Sequence, residues 1–317
     1  MIELFELTTR PNAELFFSRN DANDPRMGEI VSQDEADYAA SEIVILGCPQ
    51  DEGVRRNGGR IGAADAPNAI REQFYKLTTF NVNKKVFDLG DIRLRSTLED
   101  THDTMTAVVT QVLLDGKRII ILGGGNDISY ADGCAMAEVY GPEWWIGVNI
   151  DAHLDVRIAD ERNSGTPYRQ LLEGGHLLPA YFYEVAYQTH FASPVYYNYI
   201  SELGVNRISL ELLRSREEAD IELKELIRSK FIGQSSSLNT FFGFDMDAVR
   251  SADAPGTSAP SPLGLRAGEF ITLVKYAASL ANTKIIEFTE VNPRFDADNR
   301  TTKLVAIGMH RFCTGVQ

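Results

Sequence analysis

Trp144-Trp145-Ile146-Gly147-Val148-Asn149-Ile150-Asp151-Ala152-His153-Leu154-Asp155 is the stretch on which the fold turns. Its apolar half, bounded upstream by Gly141-Pro142, reads as a buried strand. The polar half carries Asp151, His153 and Asp155 at a spacing of two. Side chains alternate along a strand, so this spacing sends all three to one side and Ala152 and Leu154 to the other. Ionised carboxylates leaving a hydrophobic strand together repel one another and are costly to desolvate. A cation or a set of hydrogen-bond donors removes that cost. A second stretch, Phe241-Phe242-Gly243-Phe244-Asp245-Met246-Asp247, has the same design: an aromatic strand run ending in two carboxylates two apart.

Around these two stretches the chain alternates between short apolar runs and helical patterns. Strands are expected at 43–47, 86–89, 119–122, 144–150, 184–187, 207–210, 240–244 and 284–288. Helices are expected at 66–76, where Pro67 suits a first turn, at 100–114, from about 127, at 195–203, 212–230 and 266–281, and from about 300. No Pro/Gly/Ser linker interrupts the rhythm. The expectation is one α/β domain over 1–317 with three layers: a mostly parallel eight-stranded sheet with helices on both faces. Residues 1–40 are polar and turn-rich and read as an N-terminal extension packed on that domain.

Composition narrows the function. The 317 residues are 44% apolar and 24% charged, ordinary for a globular protein. A net charge of -14 argues against a general nucleic-acid or anionic-membrane binder, either of which needs a basic face. No apolar run approaches the roughly 20 residues of a membrane helix, and Met1-Ile2-Glu3-Leu4 opens no signal-peptide pattern, so a cytoplasmic location is expected. Cys48, Cys134 and Cys313 are too few and too far apart for a disulfide framework or a zinc motif.

In open parallel sheets, ligands sit beyond the carboxyl ends of the strands. Asn126-Asp127, Asp151 to Asp155, Asp245 with Asp247, and Glu290 all follow such ends. Taken singly each has a plain alternative. Gly123-Gly124-Gly125 is most often a tight strand-to-helix turn, an Asp pair after a strand is often a cap, and a lone histidine such as His102, His176, His190 or His310 is usually a hydrogen-bonded one. Four Asp and one His together favour one or two divalent ions. Such oxygen-rich ligands prefer Mn(II) or Mg(II), with Zn(II) or Fe(II) as alternatives, and metal-assisted hydrolysis is the reaction class that follows.

These residues carry a resemblance. Asp51-Glu52-Gly53-Val54 with Asn57-Gly58-Gly59-Arg60-Ile61-Gly62-Ala63, Gly123-Gly124-Gly125-Asn126-Asp127, Asp151 to Asp155, Ser164-Gly165-Thr166-Pro167, Phe244 to Asp247, Ala254-Pro255-Gly256-Thr257 with Gly264-Leu265, and Glu290-Val291-Asn292-Pro293 occur in the order and spacing of one family. The chain resembles the ureohydrolase (arginase/agmatinase) superfamily from about residue 43 onward, and within it the formimidoylglutamase branch most closely.

The resemblance implies an arginase-like fold and two Mn(II) per chain. The first ion would be held by Asn126, Asp151, Asp155 and Asp245, and the second by Asp151, His153, Asp245 and Asp247. The family usually has histidine where this chain has Asn126, and a neutral amide oxygen is a weaker ligand, so the first site is expected to bind less tightly. Glu290 matches the glutamate that faces the substrate's amidine, as suits a carboxylate meeting a planar N–H fork. With Asp247 as proton shuttle and His153, it makes up the expected catalytic group. The reaction implied is hydrolysis of a linear amidine, N-formimidoyl-L-glutamate, to L-glutamate and formamide by a hydroxide held between the ions.

Arg157, two positions past Asp155, and Arg55, Arg56 and Arg60 in another strand-end loop are candidates for the substrate's carboxylates, because arginine binds carboxylates bidentately. Asn57 and Ser164 complete the expected substrate contacts. The alternatives are an arginase or another guanidino-acid hydrolase, and a non-catalytic relative with a degraded metal site. A homotrimer or homohexamer is implied by the family.

Overall fold

The structure, a computed structural model, describes residues 4–214 and 238–314. Among the described residues nine strands form one sheet: β1 (Thr8–Thr9), β2 (Ile43–Gly47), β3 (Val86–Ile92), β4 (Arg118–Leu122), β5 (Trp145–Ile150), β6 (Phe182–Tyr187), β7 (Asn206–Ser209), β8 (Asn239–Asp245) and β9 (Thr283–Thr289). Their order is β1-β3-β2-β4-β9-β8-β5-β6-β7. All pairings are parallel except β1 with β3, where Thr8 meets Ile92 and Thr9 meets Asp91. The eight expected strands are therefore joined by a ninth, two-residue edge strand drawn from the N-terminal extension.

The strands read as unbroken apolar runs because helices bury both faces. Ile43 and Ile45 of β2 enter one core and Val44 and Leu46 the other. Ile120 and Leu122 of β4 split from Ile119 and Ile121 in the same way. Helices Ala66–Tyr75, Ala267–Ser279 and Arg300–Thr314 cover the first face, through Phe74, Phe270 and Phe312 among others. Helices Leu98–Leu114, Ser129–Tyr140, Pro167–Glu173 and Pro194–Glu202 cover the second, through Val108, Met136, Leu171 and Ile200. Among the described residues no helix is long and apolar enough to cross a membrane.

Several boundaries differ from expectation by one to three residues; β6, for instance, begins at Phe182, not at 184. Trp144 closes a 3-10 turn and is 57% exposed, so β5 begins one residue later, at Trp145. β3 continues to Ile92, past the expected end at 89, because the register against β2 slips between Ile45 and Leu46 and Gly90, at φ 87°, takes up the shift. The helix expected at 212–230 begins as Leu210–Arg214 and otherwise lies outside the described residues.

The order β4-β9-β8-β5 positions the site. Asn126 follows β4, Glu290 follows β9, Asp245 and Asp247 close β8, and Asp151 to Asp155 follow β5. Four neighbouring strands thus deliver every polar cluster to one rim, although β8 and β9 come more than ninety residues after β5 in the chain.

Candidate metal centre

The ligand-type residues converge by a route other than strand pleating. β5 ends at Ile150, and residues 151–155 leave it as irregular backbone with Asp155 in the left-handed region, at φ 44°. Asp151 Oδ1 accepts the His153 N–H at 2.7 Å, and Asp245 Oδ1 accepts the Asp247 N–H at 2.9 Å. Each stretch is folded by its own first aspartate, whose carboxylate turns the chain and brings round the residue two positions on. The spacing of two matters here as the reach of an Asp side chain to its i+2 amide.

Two groups of three result. Ligand atoms of Asp151, His153 and Asp247 lie within 4.8 Å of one another, and so do those of Asp151, Asp155 and Asp245. Oxygen ligands at about 2.0–2.2 Å from one ion stand roughly 3–4.4 Å apart, so both groups have room for a divalent cation, with Asp151 common to the two. His153 Nδ1 sits 3.2 Å from Asp247 Oδ2 and 3.4 Å from Asp151 Oδ1. Asp247 Oδ1 is buried without a hydrogen-bond partner among the described residues. A buried carboxylate oxygen aimed into an acidic cluster with no donor fits a cation. The chain's acidic and imidazole groups are therefore suited to metal.

Protein groups alone leave the cluster electrostatically uncomfortable. Burial, and then repulsion from Asp151, pushes Asp155 well above the usual carboxylate range; burial followed by Asp247 and Asp151 does the same to Asp245. Burial also raises Asp247, against the opposing charge of His153. Asp247 in turn pushes His153 up to about 12, outweighing the effect of burial. Behind the cluster, Asn149 Nδ2 donates to Asp151 Oδ2 at 3.2 Å and to the buried Glu184, which orients the shared aspartate.

The Asn126 corner is built differently from expectation. Its amide nitrogen donates to Asp155 Oδ2 at 2.7 Å, while its oxygen accepts from Ser129 Oγ at 3.0 Å and Thr289 Oγ1 at 2.9 Å. The oxygen expected to bind the first ion faces away from the carboxylates. The reason is that Asp155 takes a donor and the Thr289 hydroxyl an acceptor, and this orientation serves both; Ser129 Oγ also reaches Glu287 Oε2, at 2.7 Å. Coordination through Asn126 requires the amide to turn over, exchanging its oxygen and nitrogen.

Glu290 is buried at the same rim with φ 61°, held by its N–H to the Gly124 carbonyl at 2.8 Å, and its Oε1 accepts the Asn126 N–H at 2.8 Å. Burial pushes it up to about 8 against those hydrogen bonds. Gly124 passes so close to the neighbouring loop that a Cβ would lie 1.8 Å from the Gln50 carbonyl oxygen. The glycine run is thus a tight turn, not a phosphate cradle.

The cluster forms the floor of a cavity of about 340 Å³. His153, Asp155, Asp245, Asp247 and Glu290 line it together with Asn57, Arg60, Arg157 and Ser164. The arginase family profile matches residues 41–313 of this chain.

The chain belongs to the arginase family.

Among similar proteins of that family is a formimidoylglutamase of Staphylococcus aureus, 34% identical over 286 residues, which cover 90% of this chain and 89% of the relative. The structure is similar to that of Trypanosoma cruzi formiminoglutamase crystallised with manganese, at TM-score 0.82 and 34% identity, over 92% of this chain and 98% of that one. It is also similar to the formimidoylglutamase of Bacillus subtilis, at TM-score 0.85 and 26% identity over 94% of each chain.

Arg55 and Arg56, expected at the substrate, face elsewhere in this arginase-family site. They close the helical turn Glu52–Arg56, where a carboxylate three or four residues back captures them: Arg55 binds Glu52 at 2.6 Å, and Arg56 binds Glu52 at 3.0 Å and Glu99 at 2.6 Å. The chain turns toward the cavity only from Asn57, whose Nδ2 donates to Ser164 Oγ at 3.0 Å. His102 keeps the ordinary role expected of it, buried and bonded to Asp127 at 2.7 Å. His176, His190 and His310 are not among the cavity's lining residues. Burial pushes the Cys134 thiol up to about 11, which keeps thiolate scarce at neutral pH.

Sequence reasoning passed over Phe191, Ser193, Tyr196 and Ser258, which also line the cavity. The Phe191 ring lies 5.2 Å from that of His153. Phe191 and Ser193 sit in the loop after β6, so the rule of ligands beyond strand ends pointed there. Ser258 directly follows the Ala254-to-Thr257 motif, and its N–H donates to the Glu290 carbonyl at 3.2 Å.

The raised carboxylates predict how the chelated protein responds to pH. A group whose folded pKa exceeds its unfolded value stabilises fully below the unfolded value, and the contribution is lost as pH rises through the folded one. Asp155, Asp245, Asp247 and Glu290 all shift upward, against an unfolded value of about 4. The gain in melting temperature on adding Mn(II) to EDTA-treated protein should therefore grow from pH 5 to pH 8, as metal also displaces the His153 proton. A gain that stays flat across that range contradicts the assignment of these groups to a cation.

Proposed function

We propose that this arginase-family hydrolase converts N-formimidoyl-L-glutamate and water to L-glutamate and formamide, using two Mn(II) ions per chain. Asp151, His153, Asp155, Asp245 and Asp247 would hold them, with Asn126 at the first site once its amide has turned. The observation that carries the reading is a single cavity with carboxylates for its floor and the Arg157 guanidinium in its wall, unpaired with any carboxylate among the described residues. An amidine belongs against the floor and a carboxylate against the wall. Names of the similar proteins, formimidoylglutamase and formiminoglutamase, support the same substrate.

Bound Mn(II) supplies Lewis acidity and an activated water at neutral pH. The chain's own residues do the rest. Glu290 accepts the amidine N–H groups and fixes the plane of the formimidoyl carbon, whose bond to the substrate's α-nitrogen is the one that breaks. Asp247, its Oδ2 3.2 Å from His153, would take up the proton that the attacking water gives up and pass it to that nitrogen as it leaves. Arg157, Asn57 and Ser164 hold carboxylate oxygens at the wall, and the charge of Arg157 repels cationic substrates such as agmatine. The same reading places the enzyme in the cytoplasm as a homotrimer or homohexamer.

Purified protein loaded with Mn(II) should release formamide from N-formimidoyl-L-glutamate and little urea from arginine or agmatine, with metal content measured on the same sample. Urea from arginine without formamide from formimidoylglutamate makes the chain a guanidino-acid hydrolase instead. Metal near zero and no turnover on any of the three would leave it a non-catalytic relative.

A further inference from the structure

We propose that Arg60 is a specificity-determining residue that binds one of the substrate's two carboxylates, so that the cavity selects a dicarboxylate; this rests on the formimidoylglutamate reading above.

The guanidinium of Arg60 is held in place before any ligand arrives. It lies over the Phe295 ring at 4.2 Å from the centroid, and Nη2 donates to the Thr257 carbonyl at 2.6 Å. The loop beneath it is bolted to the segment after β9. Asn292 Nδ2 donates to the Arg60 carbonyl at 3.0 Å and the Ile61 carbonyl at 3.2 Å, and Thr257 bridges to Val291. Arg60 is therefore tied to the strand end that carries Glu290. An arginine fixed this way loses little freedom when it captures an anion.

The protein supplies the Arg60 guanidinium with a ring and a carbonyl oxygen, not with a carboxylate. Arg60 Nε is buried without a hydrogen-bond partner, and among the described residues no carboxylate pairs with the guanidinium. Its neighbours do not share this: Arg55 has Glu52, Arg56 has Glu99, and Arg294 has Asp65 at 2.9 Å. In a chain with 45 acidic and 31 basic residues, a carboxylate partner is easily found. Arg60 faces a cavity that also holds Arg157, so two guanidiniums without protein carboxylates look onto one space. N-formimidoyl-L-glutamate brings two carboxylates, one beside the reacting nitrogen and one at the end of its side chain. Each arginine can take one. A substrate with a single carboxylate leaves a desolvated guanidinium unpaired, which is how buried polar groups reject an analogue.

The test compares wild type, Arg60→Met, Arg60→Lys and Arg157→Met, all Mn(II)-loaded, on four amidines. These are N-formimidoyl-L-glutamate, N-formimidoyl-4-aminobutyrate, N-formimidoyl-2-aminobutyrate and N-propylformamidine, which carry both carboxylates, only the distal one, only the α one, and neither. Arg60→Met should lose about 100-fold in kcat/KM on the dicarboxylate, mostly through KM, and lose little on N-propylformamidine and on one of the two monocarboxylates. Arg157→Met should spare the other monocarboxylate. Arg60→Lys, which keeps the charge without the fork, should recover part of the loss and serves as the folded control should the methionine variant fold poorly. Unchanged kinetics of Arg60→Met on the dicarboxylate overturn the proposal. An equal loss on all four substrates also overturns it, since a clip for Thr257 would act on every substrate alike. Wild type inactive on N-formimidoyl-L-glutamate overturns instead the functional reading on which the proposal stands.

Discussion

Asp151→Asn should lower kcat by roughly 1000-fold or more and leave the purified protein with at most about one Mn(II) per chain after dialysis. Asp151 is the residue common to both ligand groups, so losing its charge weakens both at once. The substitution is close to isosteric, and the amide oxygen can still accept the His153 N–H that folds the loop. The fold should survive, because that hydrogen bond is kept and the repulsion that Asp151 exerts on Asp155 and Asp245 is relieved. Metal content by atomic emission and formamide release on the same sample check this, with Asp160→Asn, at an exposed position of the same loop, as control. Full metal content with near-normal turnover in Asp151→Asn would remove the shared aspartate from the mechanism.

Arg71→Leu should cost about 3–5 kcal/mol of stability, roughly 5–8 °C in melting temperature for a chain of this size, without changing the chemistry of the folded fraction. Arg71 projects from helix Ala66–Tyr75 into the core with its side chain wholly buried. Its Nε and Nη2 donate to the two oxygens of Asp88 at 2.8 and 3.0 Å, Nη1 to Asp91 at 2.5 Å, and Nη2 also to the Gly90 carbonyl at 2.8 Å. The Tyr75 hydroxyl also donates to Asp88. This fork pins the helix to β3 where Gly90 interrupts its register. Leucine would leave two carboxylates in the core without their cation, and that uncompensated charge dominates the cost. Denaturant titration measures the loss, and Arg71→Leu/Asp88→Leu should recover part of it. A loss under 1 kcal/mol in the single variant would mean that solvent reaches the carboxylates.

Much of the site was legible because its chemistry is written locally. Asp151, His153 and Asp155 beside an apolar run, and Asp245 and Asp247 beside another, announce carboxylates that need a counter-charge whatever the fold. Strand alternation would put Asp151, His153 and Asp155 on one side of a strand, but the structure gathers them by a different geometry. The strand ends at Ile150, and an aspartate bonded to the amide two residues on does the turning. Orientation was illegible wherever it depends on a distant partner. Arg55 and Arg56 read as substrate contacts until Glu52 and Glu99 claim them. Asn126 read as an oxygen ligand, yet Ser129 and Thr289 take that oxygen.

By itself the sequence determined that this protein is a parallel α/β sheet with acidic strand ends, since burial on two faces and carboxylate repulsion are properties of residues and their near neighbours. That β4, β9, β8 and β5 lie side by side and gather those ends at one rim follows from long-range packing alone. Pairing between strands so far apart in the chain rests on which helices pack against which face, a many-body balance that no local pattern encodes. The same holds for Arg60, whose place at the cavity comes from Phe295, Thr257 and Asn292, each about two hundred residues or more away.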